Sequence, residues 1–277
     1  MRIDAHQHYW NPLRDDYGWL TPHLGELYRP FGPADLAPLR ERAAIECTVV
    51  VQAAPTVDET RYLLDLARSE ASIAGVVGWV PLSDANAPEL IAELARDPKF
   101  KGVRPMLQDL PDDNWIAEPA LAPAIEALIA HDLAFDALIF VRHVDALFAF
   151  ATRFPALRVV VDHAAKPPIR DGQAGWQPWA DAVARLAALP NVHCKLSGLA
   201  TEAAPGWTEA TLLPYVAHLI DRFGAARVMW GSDWPVLNLN GDYLLWHACA
   251  NALVGGLADS ERDAIFGANA AAFYRLR

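Results

Sequence analysis

Lysine is scarce in this chain, cysteine is scarcer, and no long uncharged apolar run occurs anywhere. Only 23 basic residues stand against 34 acidic ones, and the net charge of -11 with no Lys/Arg cluster gives no support for a nucleic-acid surface. The expected partner is a small molecule. Three cysteines, Cys47, Cys194 and Cys249, form an odd number without paired spacing, each in an apolar context. They read as reduced core thiols in a reducing compartment. No uncharged apolar stretch reaches about 18 residues, and no basic segment followed by an apolar run is found at the start. Neither a membrane span nor a secretory signal is expected, which makes the cytoplasm the default location. No linker, low-complexity run or obvious repeat divides the chain.

What is present is a steady alternation. The chain has 277 residues and is 53% hydrophobic, enough for one α/β barrel or two ordinary domains. Strand-like runs fall at 2–8, 45–54, 73–82, 100–106, 133–139, 157–163, 192–198 and 227–233. Between them, segments such as VDETRYLLDLARSE, APELIAELARD, VDALFAFATRF and TEATLLPYVAHLIDRFG repeat apolar residues every three or four positions. Alternating strands and helices imply parallel pairing with right-handed crossovers, so eight such units predict a single-domain (β/α)8 TIM barrel over residues 1–277. An open doubly wound sheet is disfavoured, because no Gly-rich phosphate loop follows the first strand. Two long stretches, 9–33 and 107–119, are dense in Pro, Asp and aromatics and read as lids on the catalytic face. In the last segment, Ser260 reads as a cap before Glu261–Phe266, and Asn269 as the cap of a terminal helix.

The chemistry gathers at the strand ends. In "DAHQH" the period of two puts His6 and His8 on one strand face, with Asp4 expected beside them. The fourth strand carries Arg104, the sixth ends in "VVVDHAAKP" with Asp162, His163 and Lys166, and the eighth ends in "WGSDWP" with Asp233. A lone strand histidine is usually a hydrogen-bonded core residue. An HxH pair, a DH end and an SD end that all meet on one barrel rim read instead as an active site.

The stretches "DAHQHYW", "GVRPMLQDLPDDNWI", "VVVDHAAKPPI", "NVHCKLSGLATEA" and "WGSDWPV" resemble the amidohydrolase-superfamily branch that contains sugar lactonases and dicarboxylate lactonases. The similarity is greatest to its L-fuconolactonase-like and L-rhamnonolactonase-like members. It implies a hydrolase of a cyclic ester, with His6, His8, His163 and Asp233 around the reacting carbonyl and Arg104 holding the substrate or its oxyanion. The expected substrate is an aldonolactone: L-fuconolactone, or a relative such as L-galactonolactone or D-arabinonolactone.

Many members of the superfamily bind one or two divalent ions through the HxH pair, a carboxylated strand-four lysine, a strand-five histidine and the strand-eight aspartate. This chain departs from that pattern, because its fourth strand presents Arg104 and His143 lies beyond the fifth strand, at the start of a helix. A binuclear site is not expected. A lactone needs less electrophilic help than an amide, so catalysis without a metal is the leading expectation. Asp233 would be the general base, and His8, His163 and Arg104 the oxyanion donors, with His6 completing the cluster. The alternative is a mononuclear site, zinc or another divalent ion on His6, His8, His163 and Asp233.

Tyr9, Trp115, Lys166 and Trp234 are the candidate substrate contacts, each with packing or ion pairing as its alternative. Lys195 reads as a buried cation with Asp162 or Glu202 as partner. Two other functions remain open at this level. One is metal-dependent hydrolysis or decarboxylation of another cyclic or dicarboxylic acid, and the other is a non-catalytic sugar-binding barrel.

Overall fold

The structure, a computed structural model, describes residues 1–276; Arg277, the last residue of the expected domain, lies outside them. Eight parallel strands follow one another in sheet order: β1 (Ile3–Gln7), β2 (Cys47–Val51), β3 (Ile73–Gly78), β4 (Phe100–Val103), β5 (Ala134–Ala137), β6 (Val159–Val161), β7 (Val192–Leu196) and β8 (Val228–Trp230). The expected barrel is therefore present. It closes between β8 and β1 just beyond the strand ends, where Asp233 N donates to His6 O at 2.8 Å and His8 N donates to Trp234 O at 2.7 Å.

The helices that cover the sheet are α1 (Pro33–Arg42), α2 (Val57–Ser69), α3 (Ala87–Leu94), α4 (Ala122–Ala130), α5 (Val144–Arg153), α6 (Gln173–Ala187), α7 (Leu199–Glu202), α8 (Glu209–Phe223) and α9 (Tyr243–Leu253). Capping fixes several of their starts. Thr56 accepts from Glu59 N at the head of α2, and Asp242 accepts from Leu244 N and Leu245 N at the head of α9. Two helices escape the periodicity reading. α9, YLLWHACANAL, is apolar almost all round, and α1 buries only Leu36, so neither writes a clear stripe. Among the described residues no helix is long and apolar enough to cross a membrane. All three cysteines are buried and free.

The barrel interior is layered. Its lower part is apolar, built from Ile3, Ala5, Val49, Val51, Val77, Ala134, Val160 and Met229, and Phe273 and Tyr274 pack beneath them. Above this floor lies a buried polar layer in which Lys195 Nζ sits 2.5 Å from Asp136 and 2.9 Å from Asp162, with Tyr274 Oη donating to Asp136 at 2.6 Å. Asp162 is one of the two partners expected for Lys195; Asp136 takes the place of Glu202.

Two local expectations are corrected. The register between β1 and β2 shifts between Asp4 and Gln7, so β1 carries an extra residue and its alternation breaks there. As a result Asp4 turns away from the histidines, accepting from Ser232 N at 2.8 Å and Tyr243 Oη at 3.2 Å on the helix side. Near the C-terminus, α10 (Asp259–Asp263) runs through a wide π turn at Ala264–Ala268 into α11 (Asn269–Phe273). Ser260 lies inside α10, whose cap position is Ala258, and Asn269 caps no helix there. Its amide instead donates to Ala225 O and Val228 O, both at 2.7 Å, and ties the helix to β8.

Gly267 shows how tightly this segment is packed, because a Cβ there would lie 2.1 Å from Met1 O. Gly267→Ala must push β1 or the wide turn aside. The expected loss is about 1–3 kcal/mol of stability in urea denaturation.

Candidate active site

The four catalytic candidates come from three places, and each is aimed by its backbone. His6 follows the bulge and His8 the end of β1. At the end of β6 the chain enters a left-handed turn, with φ of 52° at His163, 53° at Ala164, 59° at Ala165 and 51° at Lys166. Four consecutive non-glycine residues in that region need outside support. Trp179 of α6 supplies part of it by donating its indole N–H to Ala164 O at 2.7 Å. Gly198 supplies the room, since a Cβ there would sit 2.7 Å from the His163 ring. Asp233, also left-handed at φ 59°, is held by the backbone bonds that close the barrel.

These turns bring four donor atoms together. His6 Nε2 and His8 Nε2 are 3.2 Å apart, and Asp233 Oδ1 lies 3.3 Å from His8 Nε2 and 3.7 Å from the Nε2 atoms of His6 and His163. A tetrahedral zinc site with bonds of about 2.0–2.1 Å separates its ligand atoms by roughly 3.3–3.4 Å. The observed spacings straddle that value. His6, His8 and Asp233 therefore form a set that could hold a metal ion, and His163, 3.7 Å from Asp233, belongs with His6 and Asp162 to a second such set beside it.

Protonation tests the fit independently. His8 Nδ1 lies 2.8 Å from Val51 O, and a carbonyl can only accept, so Nδ1 carries the proton. The Nε2 of His8 faces the Asp233 carboxylate at 3.3 Å. Burial pushes the His163 ring down to about 4 and the His6 ring well below its ordinary value, with Lys195 adding to the effect on His6. Burial alone would raise Asp233, but the facing His163, His8 and His6 outweigh it and hold the carboxyl below its ordinary range. Burial thus disfavours the cationic forms of His6 and His163 next to an ionised Asp233, which suits the binding of a cation.

A second ring of contacts orients these groups, as metal-binding histidines require. His163 Nδ1 is 2.9 Å from Ser197 Oγ, and His6 Nδ1 is 3.0 Å from Lys195 Nζ and 3.4 Å from Asp162 Oδ1. Arg104 is buried beside them. Its guanidinium donates to Gln52 O and approaches Asp162 at 3.6 Å, while Gln52 Nε2 donates back to Arg104 O at 2.8 Å.

Above the cluster lies a cavity of about 230 Å³ walled by Trp19, Met106, Gln108, Asp109, Lys166 and Arg104, with His8, His163 and Asp233 at its floor. Lys166 faces it with Nζ 2.5 Å from Gln108 Oε1, not paired with Asp162. The other substrate-contact candidates are not in its wall. Tyr9 and Trp234 are buried against each other at 6.2 Å, because Tyr9 faces away from the histidines and the Trp234 indole packs on Phe31. Trp115 lines a neighbouring apolar cavity instead.

Sequence reasoning missed Trp19, Gln52, Gln108, Asp109 and Asp136. Trp19 had only its place in the first long loop as a signal. That loop is tied down by Tyr17 Oη donating to Glu59 at 2.8 Å and Trp19 Nε1 donating to Ala53 O at 2.7 Å. Gln52 sits one residue past β2, and its signal is a polar side chain at a strand end on the catalytic face.

The family model described as Amidohydrolase matches residues 3–276. An L-fucono-1,5-lactonase of Burkholderia ambifaria is 54% identical, with 100% of this chain and 96% of the relative aligned. A second L-fucono-1,5-lactonase, from Burkholderia multivorans, is 38% identical over 100% of this chain and 96% of its own. The crystal structure of an amidohydrolase from Burkholderia multivorans with bound Zn superposes with a TM-score of 0.96 at 37% identity, covering all of both chains. With its fold, the position of its polar cluster and its full-length matches in agreement, the chain belongs to the amidohydrolase family.

Proposed function

We propose that this chain is a sugar lactonase, adding water to an aldonolactone and releasing the aldonic acid. The substrate is L-fucono-1,5-lactone or a close stereochemical relative, in keeping with the relatives that share its full length. The observation that carries the reading is the convergence of His6, His8 and Asp233 at 3.2–3.7 Å, with His163 3.7 Å from Asp233, beneath a cavity of about 230 Å³. That volume suits a single six-membered lactone ring.

The same four residues would hold one divalent ion, which when bound supplies a Lewis acid for the carbonyl and lowers the pKa of a water. The spacing of the His6, His8 and Asp233 ligand atoms, and the zinc in a related amidohydrolase structure, support this alternative over catalysis without a metal. Asp233 accepts the proton of the attacking water and returns it to the ring oxygen as the acyl C–O bond breaks. Arg104, pinned by Gln52, donates to the carbonyl oxygen as it gains charge. Lys166 and Gln108 bond ring hydroxyls, and the first loop with Trp19 shields the site from bulk water. The cavity's cations, Arg104 and Lys166, are matched by Asp109 and Asp233, which favours a neutral polyhydroxy substrate over a dicarboxylate. The three reduced thiols suit an enzyme of the cytoplasm.

Acid release from a panel of aldonolactones tests the reading. Turnover is expected with L-fucono-1,5-lactone, and Asp233→Asn should lower kcat/KM by about 10²–10⁴-fold. Silence across the panel with zinc present would reject the function, and near-native turnover by the variant would reject the role of Asp233.

Calorimetric titration of chelator-treated protein with Zn²⁺ should show a single site. Gly198→Ala moves His163 without altering any ligand and should weaken that site by about 10–100-fold. No uptake by the native protein would return the chemistry to the side chains alone.

A further inference from the structure

A larger cavity adjoins the one that holds the chemistry. Over the ends of β2, β3 and β4 lies a space of about 600 Å³ walled by Trp19, Trp79, Leu82, Met106, Leu110 and Trp115. Trp19, Met106 and Asp109 belong to the walls of both cavities. Among the described residues Asp109 is the only ionisable side chain that lines the larger one, and Ser83 carries its only hydroxyl.

A second sugar ring would need several hydrogen-bond partners that this wall does not offer. Indole faces, prolines and a flexible thioether instead suit an apolar group. We propose that this space is a subsite for an apolar substituent on the lactone ring, so that the substrate class extends to alkyl- or aryl-substituted lactones. The inference deepens the lactonase reading and rests on it. The ring would lie over the histidine cluster, with its substituent passing between Trp19 and Met106. The reaction is unchanged: water adds to the carbonyl carbon, the ring C–O bond breaks, and the hydroxy acid leaves with its substituent intact.

Gly18 allows the space to be filled from outside the catalytic wall. It is exposed, has no left-handed φ, and a Cβ there meets nothing within 4 Å. Gly18→Phe should therefore occupy the subsite without strain, and Trp79→Ala removes one of its walls. Neither residue lines the catalytic cavity.

The test compares δ-lactones bearing methyl, propyl, pentyl or phenyl next to the ring oxygen with L-fucono-1,5-lactone, on the zinc-supplemented enzyme. In the native protein kcat/KM should climb about three- to fourfold per added methylene. The climb should flatten in Gly18→Phe and weaken in Trp79→Ala, with sugar-lactone turnover preserved in both. A larger gain for phenyl than for propyl would identify flat rings as the better occupants, and the reverse would identify chains; either supports the subsite.

A flat series in the native enzyme with sugar turnover intact overturns the inference and leaves the lactonase reading standing. An equal climb in Gly18→Phe overturns it as well. If no lactone is hydrolysed, the lactonase reading fails, and calorimetry with the matching δ-lactams decides the subsite. Tighter binding of the pentyl lactam, lost in Gly18→Phe, supports it; equal affinity for the pentyl and unsubstituted lactams overturns it.

Discussion

Two backbone hydrogen bonds carry this molecule: Asp233 N to His6 O and His8 N to Trp234 O. They join β8 to β1, and without them the sheet would be an open ribbon with two unpaired edges. The same bonds fix the backbone of Asp233 next to the two histidines 225 and 227 residues earlier in the chain. Fold closure and site assembly are therefore one event. The bulge in β1 serves that event, because it lets His6 and His8 face the interior while Asp4 turns outward to hold Ser232 and Tyr243.

Beneath the cluster, the barrel buries a lysine. An ammonium in such a place is costly unless its charge is matched, and here Asp136 and Asp162 both contact it. Asp162 is shared between Lys195, Arg104 and His6, so one carboxylate links the buried lysine to the cavity arginine and to a ring of the histidine cluster. The polar layer acts as a foundation for the donor atoms above it. Its cost is offset by geometry that side chains on loops alone would not hold.

Much of this was legible in the sequence. Strand order, the barrel, and the convergence of His6, His8, Arg104, His163 and Asp233 all follow from period-two strands whose polar residues sit at the C-terminal ends. The first loop read as a lid, but which of its residues reaches the cavity was not legible, because Trp19 is placed by tertiary bonds from Tyr17 and from its own indole. Tyr9 and Trp234 misled for a related reason: adjacency to a motif says nothing about which way a side chain turns. Asp4 misled because a single extra residue in β1 reverses the face of everything before it. The preference for catalysis without a metal rested on what a lactone requires and on the residue types at the strand ends. The orientation of the His8 ring depends on Val51 O, a backbone atom that no motif displays.

Besides Lys195, Asp136 has Tyr274 as a partner beneath the site, whose hydroxyl approaches to 2.6 Å from late in the sequence. A ribosome delivers this chain from β1 onward, so Asp136, Asp162 and Lys195 are all synthesised before the tyrosine that completes their network. A nascent barrel would hold those charges with one donor missing and its floor open to water. The catalytic centre can thus reach its final electrostatics only after the last helix docks, which makes assembly of the site a late step in the life of each molecule.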